Sequence, residues 1–193
     1  MRFGAVILAA GAGSRLGGLA KALLEIERET YLQRIVRIAR VAGAHDLVVV
    51  VGPPFGDTVG GHARELGLRV VVNPLPERGM ASSITLGFAE IAESEADAAW
   101  LWPVDHPGVQ VETLHRLIAG LGTHEVAQPR FADRGGHPPL VSRAVWPRLA
   151  ACGALEGGAR AVLSTADVVR IDVDDPGVVH DVDTPADRAR QCS

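Results

Sequence analysis

The chain has 193 residues, a length typical of one domain whose core is large enough to be stable without disulfides or metals. Hydrophobic residues make up 47% of the sequence but aromatic residues only 4%, which predicts an aliphatic core of Val, Leu, Ile and Ala. The net charge of −4, together with the lack of a Lys/Arg block, argues against nucleic acid or an anionic membrane surface as a partner.

The first predicted element is a strand over the apolar run Phe3–Ala9, which follows directly on Arg2. This run is too short for a signal peptide or a membrane span. Three later apolar runs also predict buried parallel strands, because polar and apolar residues do not alternate in them. These runs are Asp46–Val51, Arg69–Val72 and Ala98–Trp102.

Helices are predicted between these strands. Over Tyr31–Val41 the apolar residues recur at positions i, i+3, i+4 and i+7, and Thr30 is a suitable N-cap. Further helical patterns follow at Asp57–Leu66, Met80–Ala92 and Val111–Leu121. This alternation of strands and helices is typical of a doubly wound α/β fold.

The second half of the chain predicts a change in strand direction. Two strands, Glu125–Phe131 and His137–Val141, flank a segment rich in Asp and Gly at 132–136, which favours a hairpin and therefore an antiparallel element. Helices near Arg143–Ala150 and Gly158–Ser164, a strand at Val168–Val173 and a short helix after Pro185 complete the prediction. Since no linker-like tract or internal repeat is present, residues 1–193 are expected to form a single domain.

Cysteines and arginines suggest no further function. Cys152 and Cys192 lie far apart without a partner motif, which is typical of reduced thiols, and we expect a cytoplasmic protein. Arg34, Arg37 and Arg40 recur at helical spacing and are predicted to form a solvated helix face rather than a nucleic-acid site.

The segment from Ile7 to Lys21 carries the strongest chemical signal. It leaves the first strand as a run of small residues in which Arg15 and Lys21 are the only charged side chains. Glycine and alanine let backbone N–H groups approach phosphate oxygens, and the cations neutralise their charge. The segment therefore predicts a nucleotide polyphosphate site, with a dinucleotide loop and a plain glycine-rich turn as alternatives.

Two observations favour a triphosphate over a dinucleotide. A dinucleotide loop turns at once into a helix, but Gly17 and Gly18 interrupt any helix here. The acid expected after the second strand is also missing, since Val51 is followed by Gly52. A Walker A loop is excluded because Gly18 is followed by Leu19 rather than by lysine.

Carboxylates near this loop predict a metal site. Asp105 follows the strand Ala98–Trp102, and ligands of open α/β sheets bind at the carboxyl ends of the strands. A carboxylate beside a polyphosphate is favourable when a divalent cation lies between them, which predicts Mg²⁺ ligation by Asp105. Asp183 is the second candidate ligand, although it could equally cap the helix predicted after Pro185. The acids from Asp172 to Asp175 are predicted to lie in a solvated turn.

The remaining candidate residues have two interpretations each. In the segment 73–83, Gly79 permits close approach of a ligand and Ser82 and Ser83 offer hydroxyls in a first helical turn, but an ordinary capped helix has the same features. His106 and His137 could contact an acceptor or have structural roles.

Taken together, these motifs resemble the MobA-like NTP-transferase family of molybdenum-cofactor nucleotidyltransferases, in particular its cytidylyltransferase branch. The resemblance spans nearly the whole chain, and the motifs keep their order. They are Leu8-Ala9-Ala10-Gly11-x-Gly13-x-Arg15-Leu16-Gly17, Lys21, Asn73 with Arg78-Gly79-Met80-x-Ser82-Ser83, Asp105-His106-Pro107, Gly136-His137-Pro138 and Asp181-Val182-Asp183-Thr184-Pro185.

The resemblance implies a Rossmann-like, nucleotide-diphospho-sugar-transferase-like domain that moves a nucleoside monophosphate from an NTP to a phosphorylated acceptor with Mg²⁺. It implies CTP as donor, because Ala10 stands where the GTP branch usually has glycine, and molybdopterin as acceptor, with a molybdoenzyme as a further partner. By motif, Arg15, Lys21 and Asp105 would be catalytic, Asp105 and Asp183 would bind the metal, and His106 and His137 would face the acceptor. The implied nucleotide-binding residues are Leu8, Ala9, Ala10, Gly11, Gly13, Asn73, Gly79, Ser82 and Ser83.

The chain departs from the family pattern in two places. The family often has Gly-Asp-Gln-Pro or Ala-Asp-Met-Pro where this chain has Val104-Asp105-His106-Pro107. The spacing between Arg15 and Lys21 is also one residue longer than is usual in the family. A sugar- or polyol-phosphate nucleotidyltransferase is therefore an alternative within the class. An NAD(P)-dependent oxidoreductase and a non-catalytic nucleotide sensor are the alternatives outside it.

Overall fold

One β-sheet with helices on both faces organises the computed structural model, which describes residues 1–11 and 18–181. The strands are β1 Phe3–Leu8, β2 Glu25–Ile26, β3 Glu29–Thr30, β4 Ala44–Val51, β5 Arg69–Val72, β6 Ala98–Pro103, β7 Val126–Phe131, β8 Arg134–Gly135, β9 Leu140–Ser142 and β10 Val168–Asp172. The α-helices are α1 Tyr31–Val41, α2 Gly56–Glu65, α3 Met80–Ile91, α4 Val111–Leu121, α5 Trp146–Ala150 and α6 Gly158–Ser164. Short 3₁₀ turns occur at Lys21–Leu23, Pro76–Arg78, Arg143–Val145, Cys152–Ala154 and Pro176–Val178.

The strand order confirms the doubly wound prediction. The sheet runs β10-β7-β9-β6-β1-β4-β5, and β1 pairs in parallel with both β4 and β6. The chain thus winds outward through β4 and β5 and then returns to β6 on the other side of β1. The gap between the ends of β1 and β6 is therefore a topological switch point, where such sheets bind ligands.

The predicted antiparallel element is also confirmed, but its pairing differs in detail. β9 runs antiparallel to both β6 and β7, between which it lies. The tight hairpin is formed instead by β7 and β8, whose turn residues Ala132 and Asp133 have φ values of 48° and 62°. The predicted strand 137–141 begins only at Leu140, because Pro138 and Pro139 have no N–H to donate to a ladder.

Helix α1 forms where its pattern predicts it. Thr30 caps the helix by accepting a hydrogen bond from the Gln33 N–H, and the Gln33 side chain accepts one from the Thr30 N–H, at 3.1 and 2.8 Å. The apolar face of the helix is buried against the sheet. The preceding hairpin β2–β3 was not predicted; its turn residues Glu27 and Arg28 have positive φ values of 52° and 69°.

The core consists of two layers, one on each face of the sheet. Alternate residues of β1 point to opposite layers: Ile7 packs with α1, α2 and α4, whereas Val6 packs with α3, α5 and α6. Most buried side chains are aliphatic, as predicted, but Trp100, Trp102 and Trp146 are among the largest fully buried ones. Phe3, Phe55 and Phe131 are only partly buried and pack against the edge of the core.

Several predicted features can be located only in part. Cys152 is a buried free thiol, whereas Cys192 and the helix after Pro185 lie outside the described residues. Among the helices described, none is long and apolar enough to cross a membrane.

Candidate active site

A cleft of about 360 Å³ opens at the switch point between β1 and β6. Leu8 and Pro103 are register partners at the ends of these strands, so the segments that follow them leave the sheet side by side. The Val104 N–H donates to the Leu8 carbonyl at 3.0 Å, which fixes the two segments to each other. Residues from Leu8 to Gly11 line one side of the cleft and Asp105 lines another.

An ion pair crosses the cleft between the two segments. Lys21 Nζ lies 3.3 Å from Asp105 Oδ2, and the two side chains are 18% and 24% exposed. Both residues line the cleft. The structure therefore brings together a cation and a carboxylate that are 84 positions apart in the chain.

The second oxygen of Asp105 is suited to a metal ion. Oδ1 is shielded from solvent and has no hydrogen-bond partner among the described residues. The Nε2 atom of His106, at 3.9 Å, is too distant for a hydrogen bond to it. A partly buried carboxylate with an unsatisfied oxygen is a ligand that hard divalent cations prefer. The donor chemistry of Asp105 thus fits Mg²⁺ or Mn²⁺, although the described residues contain no cluster of three or more acids, histidines or cysteines that could hold a metal.

The opposite wall of the cleft is formed by the start of α3 and by apolar residues. Gly79, with φ of 93°, and Ser83 line the cleft there. Phe55, Val59 and Pro76 add an apolar surface. This wall offers a flat apolar contact and helix N–H groups on one side of a ligand.

Asn73 and Ser82 have a different environment from the one predicted. The buried Asn73 amide donates to the hydroxyls of Ser82 and Ser83 at 2.8 and 2.9 Å, and its oxygen accepts from the Leu75 N–H at 3.0 Å. Ser82 in turn donates to the Gly79 carbonyl at 2.7 Å. Asn73 and Ser82 line a separate cavity of about 700 Å³ rather than the cleft. Their contacts tie the end of β5 to α3, so of the four implied nucleotide-binding residues in the segment 73–83 only Gly79 and Ser83 line the cleft.

His106 and His137 lie behind Asp105, and neither lines the cleft. Their rings are in contact, with centroids 5.1 Å apart and planes tilted by 43°, and His106 Nδ1 lies 3.3 Å from the Gly177 carbonyl. Burial, with a smaller contribution from His106, lowers the pKa of His137 to about 4, while Asp105 and a hydrogen bond that the ring donates to the Leu101 backbone act in the opposite direction. His137 is therefore neutral at pH 7.

Asp175 corrects the prediction of a solvated turn at 172–175. Its carboxylate is 2% exposed, because it accepts hydrogen bonds from the Gln110 N–H, the Thr113 hydroxyl and the Gly177 N–H at 2.8, 2.6 and 2.9 Å. A Cβ at Gly177 would overlap the backbone of Gly108. These contacts hold the turn after β10 against the segment that carries Asp105. The bond to Gly177 is local, but the sequence could not reveal the burial of Asp175, since its other two partners are more than 60 positions away.

Asp172 is exposed as predicted, but it is the last residue of strand β10 rather than part of a turn, and it forms a bidentate ion pair with Arg130 at 2.6 and 2.8 Å. Three other predicted site residues, Gly13, Arg15 and Asp183, lie outside the described residues.

Comparison with known sequences identifies a family. A model of the MobA-like NTP transferase domain matches residues 5–171. The chain is 32% identical over 188 residues to the nicotine blue oxidoreductase of Paenarthrobacter nicotinovorans, which covers 93% of this chain and 91% of that protein. It is also 28% identical over 188 residues to the probable molybdenum cofactor guanylyltransferase of Methanosarcina mazei, which covers 88% of this chain and 77% of that protein.

Solved structures agree with this assignment. Rv0371c from Mycobacterium tuberculosis H37Rv has a TM-score of 0.80 at 31% identity, with 98% of this chain and 97% of that chain covered. A structure of Rv0371c in complex with manganese gives a TM-score of 0.76 at 28% identity, with 100% and 98% covered. The chain belongs to the MobA-like NTP transferase family, and this membership supports nucleotidyl transfer as its class of activity.

Proposed function

We propose that this member of the MobA-like NTP transferase family is a metal-dependent cytidylyltransferase that transfers CMP from CTP to a phosphorylated acceptor, molybdopterin. The observation that carries the proposal is the juxtaposition of Lys21 and Asp105 at the mouth of the switch-point cleft, 3.3 Å apart beside the Leu8–Gly11 segment. A triphosphate beside this segment would meet backbone N–H groups and the Lys21 ammonium. Arg15 would add a second cation.

The chemistry requires positioning and charge neutralisation rather than a covalent intermediate. An oxygen of the acceptor phosphate attacks the α-phosphorus of CTP in line, a new P–O bond forms, and the bond to the bridging oxygen breaks to release pyrophosphate. Lys21 neutralises charge on the leaving group, because its ammonium lies within the same cleft.

Asp105 would hold the divalent cation, with Asp183 as a second ligand. When bound, this ion would neutralise phosphate charge and orient the triphosphate. The support within the described residues is the shielded, unsatisfied Oδ1 of Asp105. The structure of the related protein Rv0371c in complex with manganese also supports the proposal of a bound divalent ion.

CTP is proposed as donor on the basis of Ala10. Its side chain is buried, and a Cβ built at Gly52 would lie 3.2 Å from the Ala10 methyl and 2.7 Å from the Asn73 carbonyl. The Ala10 methyl therefore packs against the backbone at Gly52, and the proposal of CTP depends on the family resemblance at this position. Molybdopterin is proposed as acceptor on family resemblance, with His106 and His137 supporting the loop that faces it.

A pyrophosphate-release assay tests the proposal. CTP, GTP, ATP and UTP are each combined with Mg²⁺ or Mn²⁺ and with molybdopterin, a hexose phosphate or a polyol phosphate. We expect release with CTP and molybdopterin and a requirement for the divalent ion. Release with a sugar phosphate but not with molybdopterin would establish the alternative acceptor class. Full activity of the Asp105→Asn variant would contradict the proposed metal site.

A second candidate function is NAD(P)-dependent reduction, favoured by the 32% identity to nicotine blue oxidoreductase. Two features of the described residues speak against a dinucleotide loop. The segment after Gly18 forms a 3₁₀ turn at Lys21–Leu23 and a hairpin before α1 begins, and no acid follows β4 at Gly52. Titration with NADPH and with CTP plus Mg²⁺ separates the two functions. Tight binding of NADPH, with no pyrophosphate release from any NTP, would favour the reductase.

A further inference from the structure

Lys21 and Asp105, the two charged residues of the cleft, lie in two different loop segments rather than on paired strands. Lys21 begins a 3₁₀ turn that leads into the hairpin β2–β3, whereas Asp105 lies in the loop between β6 and α4. The 3.3 Å separation of their charged atoms therefore depends on how the hairpin and the loop are held relative to each other. Helix α1 starts immediately after the hairpin and lies within reach of both.

Arg34 of α1 contacts both segments at once. Its Nη1 donates to the Glu27 carboxylate at 2.9 Å, at the tip of the hairpin, and its Nε donates to the Pro107 carbonyl at 3.2 Å, two residues after Asp105. Its side chain is 24% exposed. A guanidinium suits this position because its donors point in fixed, divergent directions.

Arg37, one turn further along α1, provides the natural comparison. It makes a bidentate contact with Glu29 at 2.7 and 2.8 Å, and both of these described hydrogen bonds go to the hairpin. Its side chain is 49% exposed. The two arginines thus share a helix, a side-chain type and a hairpin partner, but Arg34 alone of the pair bonds the loop that carries Asp105.

We propose that Arg34 is a positioning residue that sets the separation of Lys21 and Asp105 by clamping the hairpin to the Asp105 loop. This inference rests on the proposed function for its effect on turnover, but the clamp itself is a property of the structure. The prediction that this arginine belongs to a solvated face is thereby corrected. A displacement of about 1 Å between reacting groups can reduce a rate roughly 100-fold, so a contact outside the cleft is sufficient to control activity.

Hydrogen–deuterium exchange on the full chain tests the clamp directly. In Arg34→Ala we expect faster exchange in peptides covering residues 24–30 and 103–110. In Arg37→Ala, the matched control, we expect faster exchange in 24–30 alone. Arg34→Lys retains the charge but not the fork, and we expect its exchange in 103–110 to lie between those of the wild type and Arg34→Ala.

Steady-state kinetics of pyrophosphate release then test the positioning role. We expect kcat of Arg34→Ala to fall roughly 10- to 100-fold with a smaller change in KM for CTP, and that of Arg37→Ala to change less than about twofold. In the background of Asp105→Asn, the same Arg34→Ala change should have little further effect, because the group that it positions is already lost.

Each result has a distinct meaning. Unchanged exchange in 103–110 in a folded Arg34→Ala protein would overturn the clamp. Faster exchange there with an unchanged kcat would overturn the positioning role of Arg34. If Arg34→Ala fails to fold, Arg34→Lys and a Glu27→Gln variant, which weakens one arm only, provide the same comparison against Arg37→Ala. The proposed function fails differently, by an absence of pyrophosphate release in the wild type or by full activity of Asp105→Asn.

Discussion

The two sides of the Asp105 loop differ in what their polar atoms contact. On the cleft side, Lys21 and Asp105 form one ion pair of 3.3 Å, and Asp105 Oδ1 has no hydrogen-bond partner in the described part of the chain. On the interior side, Asp175 accepts three hydrogen bonds from the segments around it. Asp105 therefore has a carboxylate oxygen that can still bind a ligand, whereas both carboxylate oxygens of Asp175 accept hydrogen bonds from the protein. Two acids from the same sheet edge thus have opposite roles.

The largest expected effect lies on the cleft side. Asp105→Asn and Lys21→Ala should each lower kcat by about 10²–10³, which corresponds to about 2.7–4 kcal/mol of barrier, because the charge of a preorganised group is lost. The free energy of unfolding should change little, since both side chains line the cleft rather than the core. Pyrophosphate release and chemical denaturation of the same preparations measure the two quantities. Comparable losses of activity and stability would remove the distinction between the two sides.

The next effect lies on the interior side. Asp175→Ala leaves the Gln110 N–H, the Thr113 hydroxyl and the Gly177 N–H without their acceptor, and we expect a loss of about 3 kcal/mol in unfolding free energy. Urea denaturation followed by circular dichroism measures this loss. Thr113→Val, which removes one donor only, should be milder. A fully stable Asp175→Ala protein would contradict the structural role.

Asn73 sharpens the comparison, because its residue type suggested a ligand contact but its hydrogen bonds are internal. Asn73→Ala removes the acceptor of the Leu75 N–H and the donor to Ser82 and Ser83, so we expect a loss of about 2 kcal/mol in stability. KM for CTP, measured on the folded fraction, should change less than about threefold. A large rise in KM without a loss of stability would instead return Asn73 to the nucleoside site.

The effect that is smallest near neutral pH is the one that depends on pH. The pKa of His137 is lowered to about 4 from an ordinary 6.5, so the unfolded chain binds a proton more readily than the native protein between these values. The stabilisation from the neutral ring is complete above pH 6.5 and is lost as the pH falls towards 4, at no more than about 1.4 kcal/mol per pH unit. Unfolding free energies of the wild type and His137→Gln between pH 7 and 4.5 should therefore diverge in slope. Parallel curves would show that His137 is not buried in its neutral form.

Local patterns predicted most of the fold. The helices over Tyr31–Val41 and Val111–Leu121 were predicted to the residue, because apolar periodicity and the Thr30 cap act within a few positions. The hairpin β2–β3 was missed, because its strands have two residues each and show no period. The predicted strand 137–141 began too early, because Pro138 and Pro139 cannot donate to a ladder, and this signal was present in the sequence.

The candidate site could be predicted in its chemistry but not in its contacts. The small residues after β1 and the acid after β6 indicated a polyphosphate and a cation, since strand ends of a parallel sheet share one edge. The family resemblance implied that Asn73 and Ser82 bind the nucleotide, but these two residues are hydrogen-bonded to each other and line another cavity. A side-chain type states what a residue is able to bond, not which partner it meets.

The sequence by itself determined the α/β class, the family and the acids and cations at one edge of the sheet, because these follow from composition, periodicity and ordered motifs. Only the tertiary structure decided which of those groups face a ligand. It directed Asp105 to Lys21, buried Asp175 against α4 and joined Arg34 to Pro107. These contacts link positions 65 to 84 residues apart, and they form only when packing of the whole sheet brings the segments together.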